Sequence, residues 1–280
     1  MQALSDAVGS FTAFGQTVVL ERLSPLIRSI HCSDQALSIT ESLTEHIGGS
    51  LWLSSLAMCC WLTSSDDLVQ LHLEGQGKGE EKAAASSLRI LELGAGLGLP
   101  GLFASARFPN AEVRITDGAK ELVDLCNVNI ESNHLTGRTG ATPLEWGDFE
   151  GWYEAWSKSW LYGEGGANGV LNHGDNHHQV DYFHGDSPGY YDVILGCDCV
   201  YRSNGRSFIA AVMANLNVGG KLVLINPRRD NSGIDTILYE LAQYGDMEIK
   251  DFAIEFGSFK KWLLLVQFTR TAPTSFTPSN

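Results

Sequence analysis

The sequence feature that most constrains the fold is the segment Leu88–Leu102, which reads LRILELGAGLGLPGL. Its first half is a short apolar run, typical of a buried parallel strand. The run ends in three glycines at alternate positions, Gly94, Gly96 and Gly98, and glycine lets the backbone turn tightly and approach a ligand because it has no Cβ atom. Pro100 suits the first turn of a helix, whose free N–H groups would face that ligand. The segment therefore predicts a strand, a nucleotide-binding loop and a helix.

Strand and helix patterns alternate from this segment onward, which predicts a parallel sheet with helices on both faces. Two β-type runs at the end of the chain predict an antiparallel hairpin added to that sheet. An apolar helix over 51–63 precedes the alternating part, and an N-terminal hairpin or strand within 11–31 is expected to pack outside the main sheet. The predicted strands are 88–93, 111–116, 140–145, 190–197, 221–226, Met247–Phe256 and Trp262–Thr269, and the predicted helices are 99–107, 119–133, 203–216 and 232–244.

The glycine loop fits two nucleotide-binding patterns. The dinucleotide pattern G-x-G-x-x-G occurs from Gly96, but it starts two residues too late after the strand. In the register that follows the strand directly, the pattern is E-x-G-x-G-x-G from Glu92, which resembles motif I of the class I S-adenosylmethionine (SAM) methyltransferases. The loop alone leaves SAM and other nucleotides open. The terminal hairpin favours the seven-stranded methyltransferase sheet, because dinucleotide-binding domains normally lack it.

Acidic and aromatic residues follow the next two strands. Asp117 ends the second strand, where a carboxylate can accept both ribose hydroxyls of a nucleoside, although aspartate also favours a turn before glycine. Trp146 and Asp148 follow the third strand, at the edge where strand ends converge on a ligand crevice. A tryptophan supplies an apolar wall for adenine, and an aspartate can bind its amino group. We therefore expect all three residues to contact the cofactor.

Asp198-Cys199-Val200-Tyr201 ends the fourth strand, at the point where the strand order of such a sheet reverses. This D-x-x-Y segment resembles the seven-stranded protein-lysine methyltransferases, the METTL21-type family (methyltransferase family 16). The segment GGSLWLSSLA around Trp52 is similar to that family's first-helix segment. The resemblance implies a Rossmann-like sheet, SAM as the cofactor and methyl transfer to a lysine ε-amine of a non-histone protein. It also implies catalytic roles for Asp198 and Tyr201 and cofactor contacts for Trp52, Glu92, the glycine loop and Asp198.

Three local features favour calmodulin-lysine N-methyltransferase within that family: Thr116-Asp117-Gly118, the D-x-x-Y segment, and Pro227-Arg228-Arg229. Asp230 departs from the pattern, which usually has glycine after the arginine pair. We expect Arg228 and Arg229 to bind a protein substrate, with a role in pairing carboxylates at the sheet edge as the alternative. Calmodulin, an elongation factor and a chaperone are the partner classes that the resemblance implies.

The formal net charge of −14 opposes a general nucleic-acid binder, which would carry a basic face. The six cysteines include no C-x-x-C pair, so we expect reduced, buried thiols and no metal site. No apolar run reaches the roughly 18 residues that a membrane helix needs. We therefore expect a cytoplasmic monomer, with the nucleus as a second location and no membrane partner.

The chain divides into a β-containing extension over 1–48, a methyltransferase domain over 49–270 and a disordered tail over 271–280. Low-complexity composition predicts flexible insertions at 74–87 and 150–189. The second is rich in histidine and aspartate without regular ligand spacing, which favours a solvated insertion over a metal site. The alternative function is a small-molecule methyltransferase that uses 150–189 as a substrate lid.

Overall fold

The computed structural model describes residues 9–42, 47–66, 68, 87–147, 191–201, 204–229, 233–256 and 259–271. Apart from Ser87 and Thr271, the predicted insertions and tail lie outside the described residues, as does Asp148. The predictions made for them stay predictions.

The described residues form two β-sheets and five α-helices. The strands are β1 (Gly9–Ala13), β2 (Gln16–Ser24), β3 (Ile27–Cys32), β4 (Gln35–Thr40), β5 (Arg89–Leu93), β6 (Glu112–Asp117), β7 (Thr139–Pro143), β8 (Tyr191–Cys197), β9 (Leu216–Asn226), β10 (Gly245–Phe256) and β11 (Phe259–Arg270). The helices are α1 (Leu53–Ser64), α2 (Leu99–Arg107), α3 (Lys120–Ser132), α4 (Gly205–Asn215) and α5 (Ile234–Leu241).

The main sheet has seven strands in the order β10-β11-β9-β8-β5-β6-β7. Strands β9, β8, β5, β6 and β7 are parallel, and the β10–β11 hairpin joins β9 in antiparallel pairing. The chain leaves β5 towards β6 on one side and later returns to β8 on the other, so a crevice opens at the carboxyl end of β5. This arrangement confirms the predicted Rossmann-like seven-stranded α/β fold.

Strand β5 is buried on both faces, which explains why its sequence is a continuous apolar run rather than an alternating one. Ile90 belongs to a hydrophobic cluster with residues of α1, α2 and α3, whereas the adjacent Leu91 belongs to a second cluster with residues of α4 and α5. Each strand and helix predicted from residue 88 onward is present in the described part of the chain. The largest differences are β9, which begins directly after α4, and α5, which is shorter than predicted because 242–244 form a turn.

The N-terminal residues form a four-stranded antiparallel meander, β1-β2-β3-β4, separate from the main sheet. The sequence predicted only a hairpin or strand there. The backbone N–H of Thr40 in β4 donates to the side chain of Asn129 in α3, and that of Ser38 donates to Asn133, the residue directly after α3, both at 2.8 Å. These bonds seat the meander on the helix that follows β6. The predicted domain boundary at residue 48 stays a prediction.

A buried ion pair fixes the end of the meander. The guanidinium of Arg28, which is 0% exposed, donates to Oε2 of Glu41 at 2.6 Å. Oε1 of Glu41 accepts from the N–H of Leu51 at 3.2 Å, just before α1 begins. The meander is therefore connected to the segment that enters α1. Among the described residues, no helix combines the length and the apolar character that crossing a membrane requires.

Candidate active site

The glycine loop lies where β5 ends and α2 begins. Gly94, Gly96 and Gly98 all have left-handed backbone conformations, with φ values of 62°, 57° and 74°. A Cβ atom on Gly96 would lie 2.8 Å from the carbonyl oxygen of Gly48, and one on Gly94 would lie 3.2 Å from the Trp146 ring. The alternate glycines are therefore needed both for the turn and for the close approach of neighbouring segments.

A cavity of about 690 Å³ opens beside this loop. That volume falls within the range of small-molecule sites, roughly 300–1,000 Å³. Its lining includes predicted cofactor residues of the glycine loop, of the strand ends on the β6 side and of the N-terminus of α1. These are Trp52, Gly94, Gly96, Asp117 and Trp146.

Two tryptophans form walls of this cavity. Trp52 lies at the N-terminus of α1, and its indole N–H donates to the carbonyl of Ile47 at 3.1 Å. The Trp146 ring packs edge-on against Phe208, with 5.3 Å between ring centroids. Both rings are thus held in place before a ligand binds, and each offers an aromatic face or edge to an adenine-sized group.

The Asp117 carboxylate is fixed beside the loop. Its Oδ2 accepts from the Gly96 N–H at 2.9 Å, and its Oδ1 accepts from the Ala119 N–H at 3.0 Å. Each carboxylate oxygen can accept more than one hydrogen bond, so both retain capacity for a ribose hydroxyl.

Glu92 does not line the cavity; it lies behind the loop, facing α2. Its Oε2 accepts from the Gly101 N–H at 2.9 Å, and burial raises the pKa of this carboxyl to about 8. Gly98, at the N-terminus of α2, also lies outside the lining, against Cys126 and Ile115. These two residues support the loop from within the core, a distinction that the motif pattern could not make.

Asp198, which follows β8, presents a carboxylate with one occupied and one free oxygen. Oδ2 accepts from Nη2 of Arg229 at 2.6 Å. Oδ1 is buried and has no hydrogen-bond partner among the described residues. Burial raises the pKa of this carboxyl, while the positive charges of Arg229 and Lys261 oppose that rise. A buried oxygen without a donor is costly, and because Asp198 also lines the cavity it is a candidate acceptor for an N–H group of a ligand.

Tyr201, 40% exposed, also lines this part of the cavity. The backbone between Asp198 and Tyr201 is held by Asn226, a fully buried residue at the end of β9 that the sequence reasoning had not assigned. Its Oδ1 accepts from the Val200 N–H at 3.3 Å, and its Nδ2 donates to the Val200 carbonyl at 3.0 Å. In the sequence, Asn226 could have been selected because it is a polar residue at the end of an otherwise apolar strand.

The two adjacent arginines take different positions. Arg229 lines the cavity and pairs with Asp198. Arg228 does not line it; this exposed side chain pairs with Asp251 at 3.1 Å and with Asp235 at 3.4 Å. Both arginines therefore pair with carboxylates, as the alternative interpretation of the sequence expected. Of the two, Arg229 lines the cavity and Arg228 does not.

Two cysteine thiols complete this side of the cavity. Cys197 and Cys199 both line it, and burial raises the pKa of each above its ordinary value. Both are therefore neutral thiols rather than nucleophilic thiolates.

Comparisons with known proteins agree with this geometry. A family described as lysine methyltransferase matches residues 31–152. The protein N-lysine methyltransferase METTL21A of Danio rerio is 25% identical over 200 residues, which cover 70% of this chain and 68% of that protein. Among solved structures, a candidate SAM-dependent methyltransferase from Streptococcus mutans shares the fold, with a TM-score of 0.50, 10% identity, and coverage of 90% of this chain and 58% of that one.

The cavity fits the cofactor of this family, S-adenosylmethionine. Its glycine loop leaves no room for Cβ atoms, Asp117 offers acceptors for a ribose, and the two tryptophans offer aromatic surface for an adenine. S-adenosylmethionine is accordingly the cofactor, and the chain is similar to the lysine methyltransferase family over residues 31–152.

Proposed function

We propose that this chain transfers a methyl group from S-adenosylmethionine to the ε-amine of a lysine on a non-histone protein. The observation that carries the proposal is Asp198, whose side chain has an oxygen without a donor and which lines the same cavity as the glycine loop and Asp117. The amine of a substrate lysine can supply the N–H donor that this oxygen lacks. The bound cofactor supplies an electrophilic methyl group on a sulfonium.

The residues of this chain then have distinct tasks. Asp198 accepts an N–H of the lysine and so directs the amine, while Arg229 holds the other carboxylate oxygen in place. Trp52 and Tyr201 provide aromatic walls that attract a cation before it loses its proton. Positioning of this kind is a major source of rate enhancement in bimolecular reactions.

The amine must be uncharged to attack. A lysine in water has a pKa of about 10.4, and partial removal from water lowers the pKa of an amine. The proton leaves to water in this proposal, and no side chain is assigned as a general base.

The relative METTL21A carries the name of a protein N-lysine methyltransferase, which favours a protein substrate over a small molecule. Calmodulin, an elongation factor and a chaperone are the substrate classes we propose, with the enzyme acting as a cytoplasmic monomer, in the nucleus as well. Long-range repulsion between an acidic partner and a chain of net charge −14 opposes calmodulin and favours a substrate that is less acidic overall.

The test is incubation of the enzyme with methyl-labelled S-adenosylmethionine and a lysate, followed by gel separation and mass spectrometry of labelled peptides. Asp198→Asn should lower protein labelling by about 100-fold, because the amide changes both charge and donor pattern at the amine. The exposed Asp251→Asn, which removes a carboxylate beside Arg228, should leave labelling unchanged.

Binding of S-adenosylhomocysteine, measured by calorimetry, controls for the fold of both variants. A small labelled band would support calmodulin, and a large band an elongation factor or chaperone. Intact cofactor binding without any labelled protein would contradict the proposal and favour the small-molecule alternative.

A further inference from the structure

The segment from Asp198 to Tyr201 carries two predicted site residues, but it is neither helix nor strand. Cys199 is 4% exposed and Val200 is 0% exposed, so the polar backbone groups of this segment need partners inside the protein. The N–H of Asp198 donates to the carbonyl of Ile225 at 2.9 Å. Because no regular structure follows, side chains have to supply the other partners.

Asp198 itself has a left-handed backbone, with a φ of 51°. Of the non-glycine residues with positive φ in the described part of the chain, it is the one that lines the cavity. A left-handed backbone at such a residue persists where the surrounding structure enforces it, and it is frequent at functional sites. The conformation of Asp198 therefore points to neighbours that hold this segment in place.

Two asparagine side chains are those neighbours. Asn226 ends β9, and Asn204 directly precedes α4. Oδ1 of Asn204 accepts from the Tyr201 N–H at 3.0 Å, and its Nδ2 donates to the Cys199 carbonyl at 2.8 Å. The amide of Asn226 bonds the N–H and the carbonyl of Val200. Together the two amides bond all four polar atoms of two successive peptide groups, which fixes the segment between Asp198 and the tyrosine.

Asn226 also connects this segment to the one that carries Arg229. Its Nδ2 donates to the carbonyl of Pro227 at 3.2 Å as well as to that of Val200, and an amide nitrogen has the two hydrogens that this requires. Arg229, two residues further along, pairs with Oδ2 of Asp198 at 2.6 Å. The carboxylate and its guanidinium therefore belong to two segments that are bonded to the same buried side chain.

We propose that Asn226 and Asn204 are positioning residues whose amides hold the Asp198 carboxylate where the methyl group is transferred. The inference rests on the role that the proposed function gives to Asp198, and it adds two residues to that function. Both asparagines lie in the described part of the chain but outside the cavity lining, so each acts through Asp198 rather than on a ligand. Without either amide, the left-handed segment can relax and the carboxylate can move.

The test uses sinefungin, an analogue of S-adenosylmethionine in which a carbon bearing an amine replaces the methylsulfonium group. Its affinity is divided by that of S-adenosylhomocysteine, which lacks the amine, and both affinities are measured by calorimetry at neutral pH. Asp198→Asn should lower this ratio by roughly tenfold, because a charge-assisted hydrogen bond to the ammonium is lost. Asn226→Ala and Asn204→Ala should each lower the ratio by roughly three- to tenfold and leave the affinity for S-adenosylhomocysteine unchanged.

A double variant separates positioning from a general structural role. Asp198→Asn combined with Asn226→Ala should give the ratio of Asp198→Asn alone, because the amide acts through the carboxylate that is already absent. Asn215→Ala is the matched control. Asn215 is also buried, at 6% exposed, and its Nδ2 donates to the Ala211 carbonyl within α4 at 2.8 Å. This control should lower the melting temperature and keep the wild-type ratio.

Three results would overturn the proposal: both asparagine variants keep the wild-type ratio, Asp198→Asn keeps it, or the two losses multiply in the double variant. If Asn226→Ala binds neither ligand because it does not fold, Asn204→Ala decides the outcome, since Asn204 is only half-buried.

This measurement needs no methyl acceptor, so it separates the two proposals. Lowered ratios together with an unlabelled lysate would support the positioning role and contradict the protein-lysine assignment. Wild-type ratios in both asparagine variants together with a labelled lysate would do the reverse.

Discussion

At the scale of single residues, two buried carboxylates at strand ends serve different purposes. Glu92 faces α2, where the Gly101 N–H is its partner, and its pKa is raised to about 8 mainly by burial. Asp198 faces the cavity, and a guanidinium offsets the effect of burial on its pKa. Glu92 can therefore accept the loop's N–H group whether or not its carboxyl is protonated. Asp198, in contrast, is suited to bind a cationic group.

Glu92→Gln should change how stability depends on pH. A carboxyl whose pKa rises on folding contributes stability that is complete below its unfolded value, near 4.5, and is lost as the pH rises through about 8. Across that pH interval the free energy of unfolding of the wild-type protein should fall by on the order of 3–5 kcal/mol because of this carboxyl. The glutamine variant has no such group and should not show this fall. Urea unfolding between pH 4.5 and 9 measures the difference, and parallel pH profiles for the two proteins would contradict it.

At the scale of elements, the glycine loop joins a strand, a helix and the segment before α1 at one place. The Gly48 backbone lies against Gly96 so closely that neither residue has space for a side chain. The loop is consequently shaped by a segment more than 40 residues earlier in the sequence as well as by its own glycines.

Gly96→Ala should weaken binding of S-adenosylhomocysteine by roughly tenfold or more and lower the melting temperature, because its Cβ would meet the Gly48 carbonyl in a left-handed conformation. Gly219→Ala is the matched control: Gly219 has a φ of 82° but nothing within 4 Å of an added Cβ. Gly219→Ala should lower the free energy of unfolding only by the cost of the left-handed backbone conformation, about 1 kcal/mol. Its affinity for S-adenosylhomocysteine should be unchanged. Equal losses in both variants would show that backbone conformation alone, rather than the contact with Gly48, matters at residue 96.

The helices and strands after residue 88 could be predicted because their apolar periods and turn residues are local signals. The four-stranded meander could not, since single strands such as β4 are defined by neighbours and by side chains from distant helices, here Asn129 and Asn133. Within the site, Asp117 and Trp146 follow from strand ends. The different positions of Arg228 and Arg229 do not, because adjacent residues can turn to opposite sides after a strand and the partners that decide this, Asp251 and Asp198, are remote in sequence.

At the scale of the whole molecule, the meander and the cofactor loop share one buried side chain. Asn129 accepts from the Thr40 N–H in β4 and donates to the carbonyl of Leu97 in the glycine loop at 3.2 Å. Asn133 makes the equivalent contact with Ser38 but has no recorded bond to the loop among the described residues. If a ligand orders the glycine loop, we therefore expect β4 to be stabilised as well, through Asn129.

Binding of S-adenosylhomocysteine should raise hydrogen-exchange protection of the amides of Ser38 and Thr40, measured by mass spectrometry or nuclear magnetic resonance. Asn129→Ala should remove most of this ligand-dependent gain. Asn133→Ala also removes a hydrogen bond to β4 but leaves the glycine loop unchanged. The amides of β4 should therefore exchange faster without ligand, while the gain in protection on ligand binding should remain. Loss of the gain in both variants would contradict a specific role for Asn129.

The strand order also sets the sequence of events when the protein is made. Strand β11 lies between β9 and β10, inside the sheet rather than at its edge, although it is the last described strand to leave the ribosome. Before residue 270 is synthesised, β9 has an unpaired edge that is ready to join any other strand. The meander, synthesised first, also lacks its contacts with α3 until the chain has grown by about 90 residues. A nascent chain of this protein therefore exposes two incomplete β-sheets for much of its synthesis, and unpaired strand edges of this kind are prone to aggregation.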